Sequence, residues 1–408
     1  MPEPLEGRGD TMTEKTEAVV VGGGYAGVMA ANRLTRRDDV TVTLINPRPT
    51  FVHRVRLHQL VGGSDEAVVD YREILGERVR LLVDAVARID VTERGVTLAS
   101  GTTVGYDYLV YAVGSGSAAP SVPGVAEHAY PIATLEEAQR LRPVLADTPA
   151  AAAVTVVGAG PTGIEIAAEL AEAGRTVTLV CGGVLGPYLH PRGRRAVAGR
   201  LARLGATVLD GPGASVTAVA PDAVHLADGR ALPSAVTVWT VGFGVPDLAV
   251  RSGLSVDDLG RLRTDETLTS VDDDRIVAAG DSAAPSDQPL RMSCQAAMPL
   301  GARAADTVLS RLAGEQPGVL RRTFAAQCLS LGRGAGVLQF ANRSDVAVPL
   351  HVGDRLGARL KESVCKGIPK LLADEAHKPG SFRLHRMAGG AARRRHLAQA
   401  ARSEAPTT

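Results

Sequence analysis

The run VVVGGGYAGVMAANRL, residues 19–34, decides the fold. Three β-branched residues end in a cluster of glycines, and a pattern with helical period starts directly after it. Gly22, Gly24 and Gly27 take the three glycine positions of a dinucleotide fingerprint. The first permits a tight turn, the second lets the backbone approach a diphosphate, and the third lets the helix pack close to the sheet. The helix then offers the diphosphate its exposed amides and the positive end of its dipole. Val40 to Ile45 read as the next strand, so the helix is the crossover that parallel neighbours require.

The same order returns at VTVVGAGPTGIEIAAEL, residues 154–170, with a further strand from Val177 to Val180. Gly158, Gly160 and Gly163 repeat the spacing, and Pro161 falls at the helix start, where a missing amide hydrogen is harmless. The duplication extends beyond the motif. VRLLVDAVARIDVTERGVTLASG (79–101) alternates as an antiparallel insert would, and YDYLVYAVGSG (106–116) closes it with a strand and glycine. ATVLDGPGASVTAVAPDAVHLADG (206–229) and ALPSAVTVWTVGFG (231–244) do the same in the second half. The pattern predicts an α/β chain with two units, each binding a dinucleotide.

At 408 residues the chain is too long for one ordinary core. Its 45 basic and 44 acidic residues nearly cancel, which removes the field that attracts nucleic acid. Cys181, Cys294, Cys328 and Cys365 include no CxxC pair and no metal-like cluster, so no metal site is expected. The polar N-terminus lacks the apolar centre of a secretory signal, and a cytoplasmic location is expected. No segment supplies the roughly 18 apolar residues of a membrane span, so any membrane contact is peripheral.

Two fingerprints, the strand end AVGS (112–115), the strand end WTVGF (239–243) and AAGD (278–281), in that order, resemble the pyridine-nucleotide flavin oxidoreductases. Within them the chain looks most like type II NADH:quinone oxidoreductases and apoptosis-inducing-factor-like ferroptosis suppressor flavoproteins. The resemblance implies two Rossmann-like domains, the second inserted in the first, and a C-terminal α+β domain over the flavin. It divides the chain into a disordered leader (1–16), a discontinuous FAD domain (17–125 and 255–318) and an NAD(P)H domain (126–254). A flavin-covering domain (319–385) and a basic flexible tail (386–408) complete it.

FAD is then the resident cofactor, and NADH or NADPH the hydride donor. The fingerprints, with Tyr25 and Ala26, are implied to hold the diphosphates. Asp281 faces the FAD ribityl chain, and Val86, Ala112, Gly114, Gly242 and Gly280 add cofactor contacts. Gln295, Ala296 and Ala297 lie at a helix start aimed at the flavin ring. Arg54 and Arg56 are candidates for FAD phosphate, against a reading as surface arginines; His58 is read as a structural histidine. Glu165 corresponds to a glutamate beside nicotinamide and flavin, and a lysine near the ring is expected within Lys361 to Lys366.

The ribose positions depart from the pattern. Asn46 replaces the usual acid in the first unit and still offers a hydrogen bond; Cys181 in the second offers neither acid nor cation. Arg192, Arg194 and Arg195 either reach a 2′-phosphate or form a solvated helix start. The balance leans to NADH. The expected function is an FAD-dependent NAD(P)H oxidoreductase with a quinone or similar acceptor, and a homodimer is compatible with it. A tailoring enzyme for a small organic metabolite and a nucleotide-binding redox-sensing scaffold are the alternatives.

Overall fold

The structure, a computed structural model, describes residues 15–321, 324–383 and 390–404. Most of the expected leader lies outside the described residues, and the first strand, Thr16–Val21, begins at its end. The turn and the helix Tyr25–Leu34 follow as the glycine spacing requires. Every residue of this helix is buried, since it packs against both its own sheet and the long helix Cys294–Leu312. Small side chains permit that second contact: a Cβ added at Gly301 would stand 2.1 Å from the Ala26 carbonyl oxygen.

Two five-stranded sheets follow one plan. Across the first run Ile276–Ala278, Tyr108–Tyr111, Thr16–Val21, Val40–Asn46 and Val79–Val83, all parallel. Across the second run Ala129–Pro131, Val236–Trp239, Ala153–Val157, Thr176–Val180 and Thr207–Leu209, again all parallel. Val79–Val83 and Thr207–Leu209 therefore depart from the antiparallel reading; each is the outer parallel strand of its unit. The antiparallel inserts begin only after them, at Val86–Asp90 and Val216–Val219. An alternating apolar pattern fits both settings, because an outer strand is buried unevenly.

The units interlock. Ile276–Ala278 returns to the first sheet after the second is complete, and Gly116–Ser117 pairs antiparallel with Phe243–Gly244 where the chain crosses between them. Leu248, Ala249 and Leu254 already lie in the core of the first unit, so the return falls before the expected 254.

The C-terminal region is a three-stranded antiparallel sheet (Ala326–Ser330, Gly336–Ala341, Ala347–Val352) crossed by the helix Asp354–His377. A Cβ at Gly357 would stand 2.2 Å from the Gly336 carbonyl oxygen, so glycine is needed at that crossing. Residues 390–404 of the expected tail form a helix, anchored by buried Arg393 on Glu266 at 2.7 Å; 386–389 and 405–408 lie outside the described residues. Among the described residues, no helix is long and apolar enough to cross a membrane.

The C-terminal helix is held to the first unit by a buried charge cluster. Arg33, fully buried in the fingerprint helix, donates from Nε to Glu375 Oε1 at 2.7 Å and from Nη1 to Asp306 at 3.3 Å. Glu375, also fully buried, accepts from the amides of Gly380 and Phe382 at 2.7 Å each. Removing one partner of a buried pair strands the other's charge. Glu375→Leu is expected to cost about 3–5 kcal/mol, read as a lowered urea midpoint, whereas exposed Glu77→Leu leaves it unmoved.

Candidate functional site

The two glycine turns have the same internal logic. At Gly22 the backbone has φ +103°, and a Cβ would stand 2.3 Å from the Ala112 carbonyl oxygen. A Cβ at Gly27 would meet the Gly22 carbonyl oxygen at 1.8 Å. Gly24 differs: it caps its helix with no side-chain hydrogen bond, and a Cβ there meets nothing within 4 Å. In the second turn, a Cβ would meet Thr240 Oγ1 at 2.3 Å from Gly158, and the Gly158 carbonyl oxygen at 2.1 Å from Gly163. Gly160 is again an uncapped helix start facing open space. Each turn thus places free volume before helix amides that no side chain caps, which fits a dinucleotide diphosphate.

Around the first turn the strand ends converge. Ser115 Oγ donates to Asp281 Oδ2 at 2.7 Å, and Arg54 Nη1 donates to Ser115 Oγ at 3.1 Å and lies 3.6 Å from Asp281. Gly280, at φ +77°, comes close to Ala26, and Gly114, at φ +72°, borders open space. Arg54, Gly114, Gly280 and Asp281 are therefore neighbours. Arg56 is not one of them: it is buried, bonded to Glu362 at 2.9 Å and Gln59 at 2.7 Å, and turned into the protein.

Asn46 is likewise committed to the fold. Its Oδ1 accepts from the Gly23 amide at 2.9 Å and its Nδ2 donates to the Arg48 carbonyl at 2.8 Å, so it braces the turn. Val86 begins the antiparallel insert opposite Leu98, and Gly242, at φ +83°, adjoins the strand pair that links the units. Gln295, Ala296 and Ala297 do open a helix, where Ser293 caps the Ala296 amide at 3.2 Å.

Tyr25 connects the first turn to the C-terminal domain. Its hydroxyl stands 3.1 Å from His53 Nδ1, and His53 Nε2 is 3.0 Å from the Cys365 carbonyl oxygen. A carbonyl only accepts, so Nε2 carries the proton and Nδ1 accepts from the tyrosine. Ser115 and His53 had no separate signal in the sequence: Ser115 closes the strand end AVGS, where the glycine drew the reading, and His53 precedes Arg54, where the arginine did.

Glu165 meets the lysine expected in the C-terminal stretch. Lys361 Nζ is 2.8 Å from Glu165 Oε1, the Ser330 amide donates to the same oxygen at 2.9 Å, and His58 Nδ1 is 3.8 Å from Oε2. All three units contribute. Burial opposes the charge on Glu165, but the Lys361 ammonium and the Ser330 amide outweigh it and hold the carboxyl below the usual range. Burial also opposes the Lys361 ammonium, yet Glu165 carries its pKa above that of an ordinary lysine. Neither group exchanges a proton near neutrality.

Burial pushes His53 and His58 down to about 4, leaving both neutral, and pushes the Cys294 thiol up to about 11. The Cys328 and Cys365 thiols are raised by burial as well. Among the described residues no group of three or more His, Cys, Asp or Glu side chains is placed to hold a metal ion.

Two outcomes follow from this chemistry. Glu165→Gln and Lys361→Met each strand one buried charge and are expected to cost about 3–5 kcal/mol. The double variant loses less than the sum of the two, which a double-mutant cycle in urea measures. Because the unfolded histidines bind protons below about pH 6.5 and the folded ones only below about 4, stability is complete above 6.5 and declines as pH falls through that window. Melting temperatures followed from pH 7 to 4 check this, and His58→Gln is expected to flatten the decline.

The pyridine nucleotide-disulphide oxidoreductase family matches the chain over residues 16–301. An NADH dehydrogenase-like protein of Mycobacterium tuberculosis is 32% identical over 354 residues, covering 79% of this chain and 87% of the relative. The type II NADH:quinone oxidoreductase Ndh of that species is 28% identical over 345 residues, covering 73% of each chain. Among solved structures, NDH2 from Plasmodium falciparum in complex with NADH has a TM-score of 0.74 at 15% identity, covering 91% of this chain and 99% of the other. That likeness bears on the fold. FAD and NADH are the cofactors of such proteins, in keeping with two open, uncapped glycine turns in one chain. With the match running from the first strand into the long helix beside it, the chain belongs to the pyridine nucleotide-disulphide oxidoreductase family.

Proposed function

We propose that this chain is an FAD-dependent NADH dehydrogenase that delivers electrons to a quinone-type acceptor. The observation that carries the reading is the pair of open, uncapped glycine turns, with the Glu165–Lys361 pair bridging the second unit and the C-terminal domain. In this reading the Gly22–Gly27 turn seats FAD, with Arg54, Ser115 and Asp281 beside it, and the Gly158–Gly163 turn seats the nicotinamide dinucleotide. When bound, FAD supplies two-electron chemistry that links the nicotinamide to a second acceptor.

The chain's own part is placement. Glu165 and Lys361 are a fixed dipole of opposite charges, so they orient polar groups brought against them without giving up a proton. Tyr25, His53 and the Cys365 carbonyl tie the first turn to the C-terminal domain, which holds the approach distance between the two nucleotides. Cys181 discriminates neither donor, and the sequence likeness to NADH dehydrogenase-like and type II NADH:quinone oxidoreductase relatives favours NADH over NADPH. The sequence likeness to a type II NADH:quinone oxidoreductase favours a quinone. Thiols held protonated by burial disfavour a cysteine-based acceptor.

Two glycine variants and one titration test the reading. Gly24 and Gly160 have ordinary φ values and empty surroundings, so valine at either fills only the space assigned to a diphosphate. Gly24→Val is expected to fold but purify colourless; Gly160→Val is expected to stay yellow yet resist bleaching by NADH. Anaerobic NADH should bleach the wild type, and quinones should restore its colour. Restoration by a small metabolite, with indifference to quinones, would reassign the chain to tailoring chemistry.

A further inference from the structure

Two buried polar atoms within the influence of the Glu165–Lys361 pair have no partner, His58 Nε2 and the Tyr188 hydroxyl, and the second lies on the loop after the second parallel sheet's strand Thr176–Val180. The Tyr188 hydroxyl is shielded from solvent and makes no hydrogen bond, while the charged groups it senses are Glu165, Arg291 and Lys361. A phenylalanine would fill the same space without the cost of an unmade hydrogen bond. The hydroxyl therefore makes sense only with a partner that the folded chain does not itself supply.

The loop that carries it says where that partner lies. Residues 181–190 follow the strand Thr176–Val180, at the carboxyl end of the second parallel sheet, the end at which such sheets bind ligands. The Gly186 amide donates to the carbonyl of Ala159, inside the second glycine turn, at 3.1 Å. Leu185 and Leu189 are buried on either side of Tyr188, and a Cβ at Gly186 would stand 2.7 Å from Leu189 Cδ1. The loop is thus fixed to the turn. A dinucleotide whose diphosphate sits on Gly158–Gly163 has its adenosine end near Cys181. Its other end then runs from the turn toward the first unit, and the loop bonded to that turn carries Tyr188, whose hydroxyl lies within the influence of the Glu165 and Lys361 charges.

We propose that the Tyr188 hydroxyl donates a hydrogen bond to the nicotinamide end of the bound dinucleotide and sets how tightly that end is held. The inference rests on the reading of the second turn as the nicotinamide seat.

Tyr188→Phe in the FAD-loaded enzyme tests it, followed by anaerobic stopped-flow reduction with NADH and by melting with and without NAD⁺. Losing one neutral hydrogen bond to the ligand is expected to raise the half-saturating NADH concentration about 3- to 10-fold. FAD content and the half-saturating quinone concentration stay as in the wild type. The melting temperature without nucleotide is expected to stay level or rise, because the variant removes an unmet hydroxyl, while the rise produced by NAD⁺ shrinks. Half-saturation within twofold of the wild type overturns the proposal. So does a lower melting temperature with unaltered NADH binding, which would assign the hydroxyl to a resident water. A wild type that NADH does not bleach defeats the parent reading, an outcome distinct from a bleached wild type matched by its variant.

Discussion

One helix, Asp354–His377, is fastened near both ends by buried charges, and the geometry of the whole site depends on that. Lys361 is locked to Glu165 of the second unit and Glu375 to Arg33 of the first. The two contacts lie fourteen residues apart on the helix, roughly 21 Å along its axis. Buried pairs add little net stability relative to apolar packing, but pulling one apart is expensive. Their effect is to forbid intermediate positions. The C-terminal helix is a strut bonded to the two helices that follow the glycine turns, through Arg33 in one and Glu165 in the other.

The same pairing defines the electrostatics of the interior. With the carboxyl pulled down and the ammonium pushed up, Glu165 and Lys361 keep their charges across the neutral range. The nearby histidines are kept neutral and the nearby thiols protonated by burial. A flavin-dependent oxidoreductase with such a lining contributes a fixed field and fixed distances, and leaves the exchange of electrons to its cofactors.

Features encoded within a few residues were legible in the sequence, and features made by distant segments were not. The glycine turns need only local spacing, and each came out in the expected strand, turn and helix. The family resemblance led to Glu165 and to a short window around Lys361; which lysine, and that Ser330 shares the carboxylate, depended on contacts 165 residues or more apart. The surroundings of Arg56 are hidden from the sequence for a related reason. Its sequence neighbours give no hint of Glu362, some three hundred residues on, which takes its guanidinium. Asn46 reads as a ribose contact by position, yet the turn beside it claims both ends of its side chain. Val79–Val83 and Thr207–Leu209 alternate like hairpin strands, and only the sheet they join reveals them as parallel.

The late return of Ile276–Ala278 also has a meaning for the chain as it leaves the ribosome. Tyr108–Tyr111 is buried along its whole length, and one of its two neighbours is made about 165 residues after it. At about 5–20 residues per second, that is an interval on the order of ten to thirty seconds. Throughout it the nascent first sheet carries a bare apolar margin while the entire second unit emerges and folds. Such a margin invites pairing with other chains. The inserted architecture therefore creates a need for shielding during translation, set by the position of one three-residue strand.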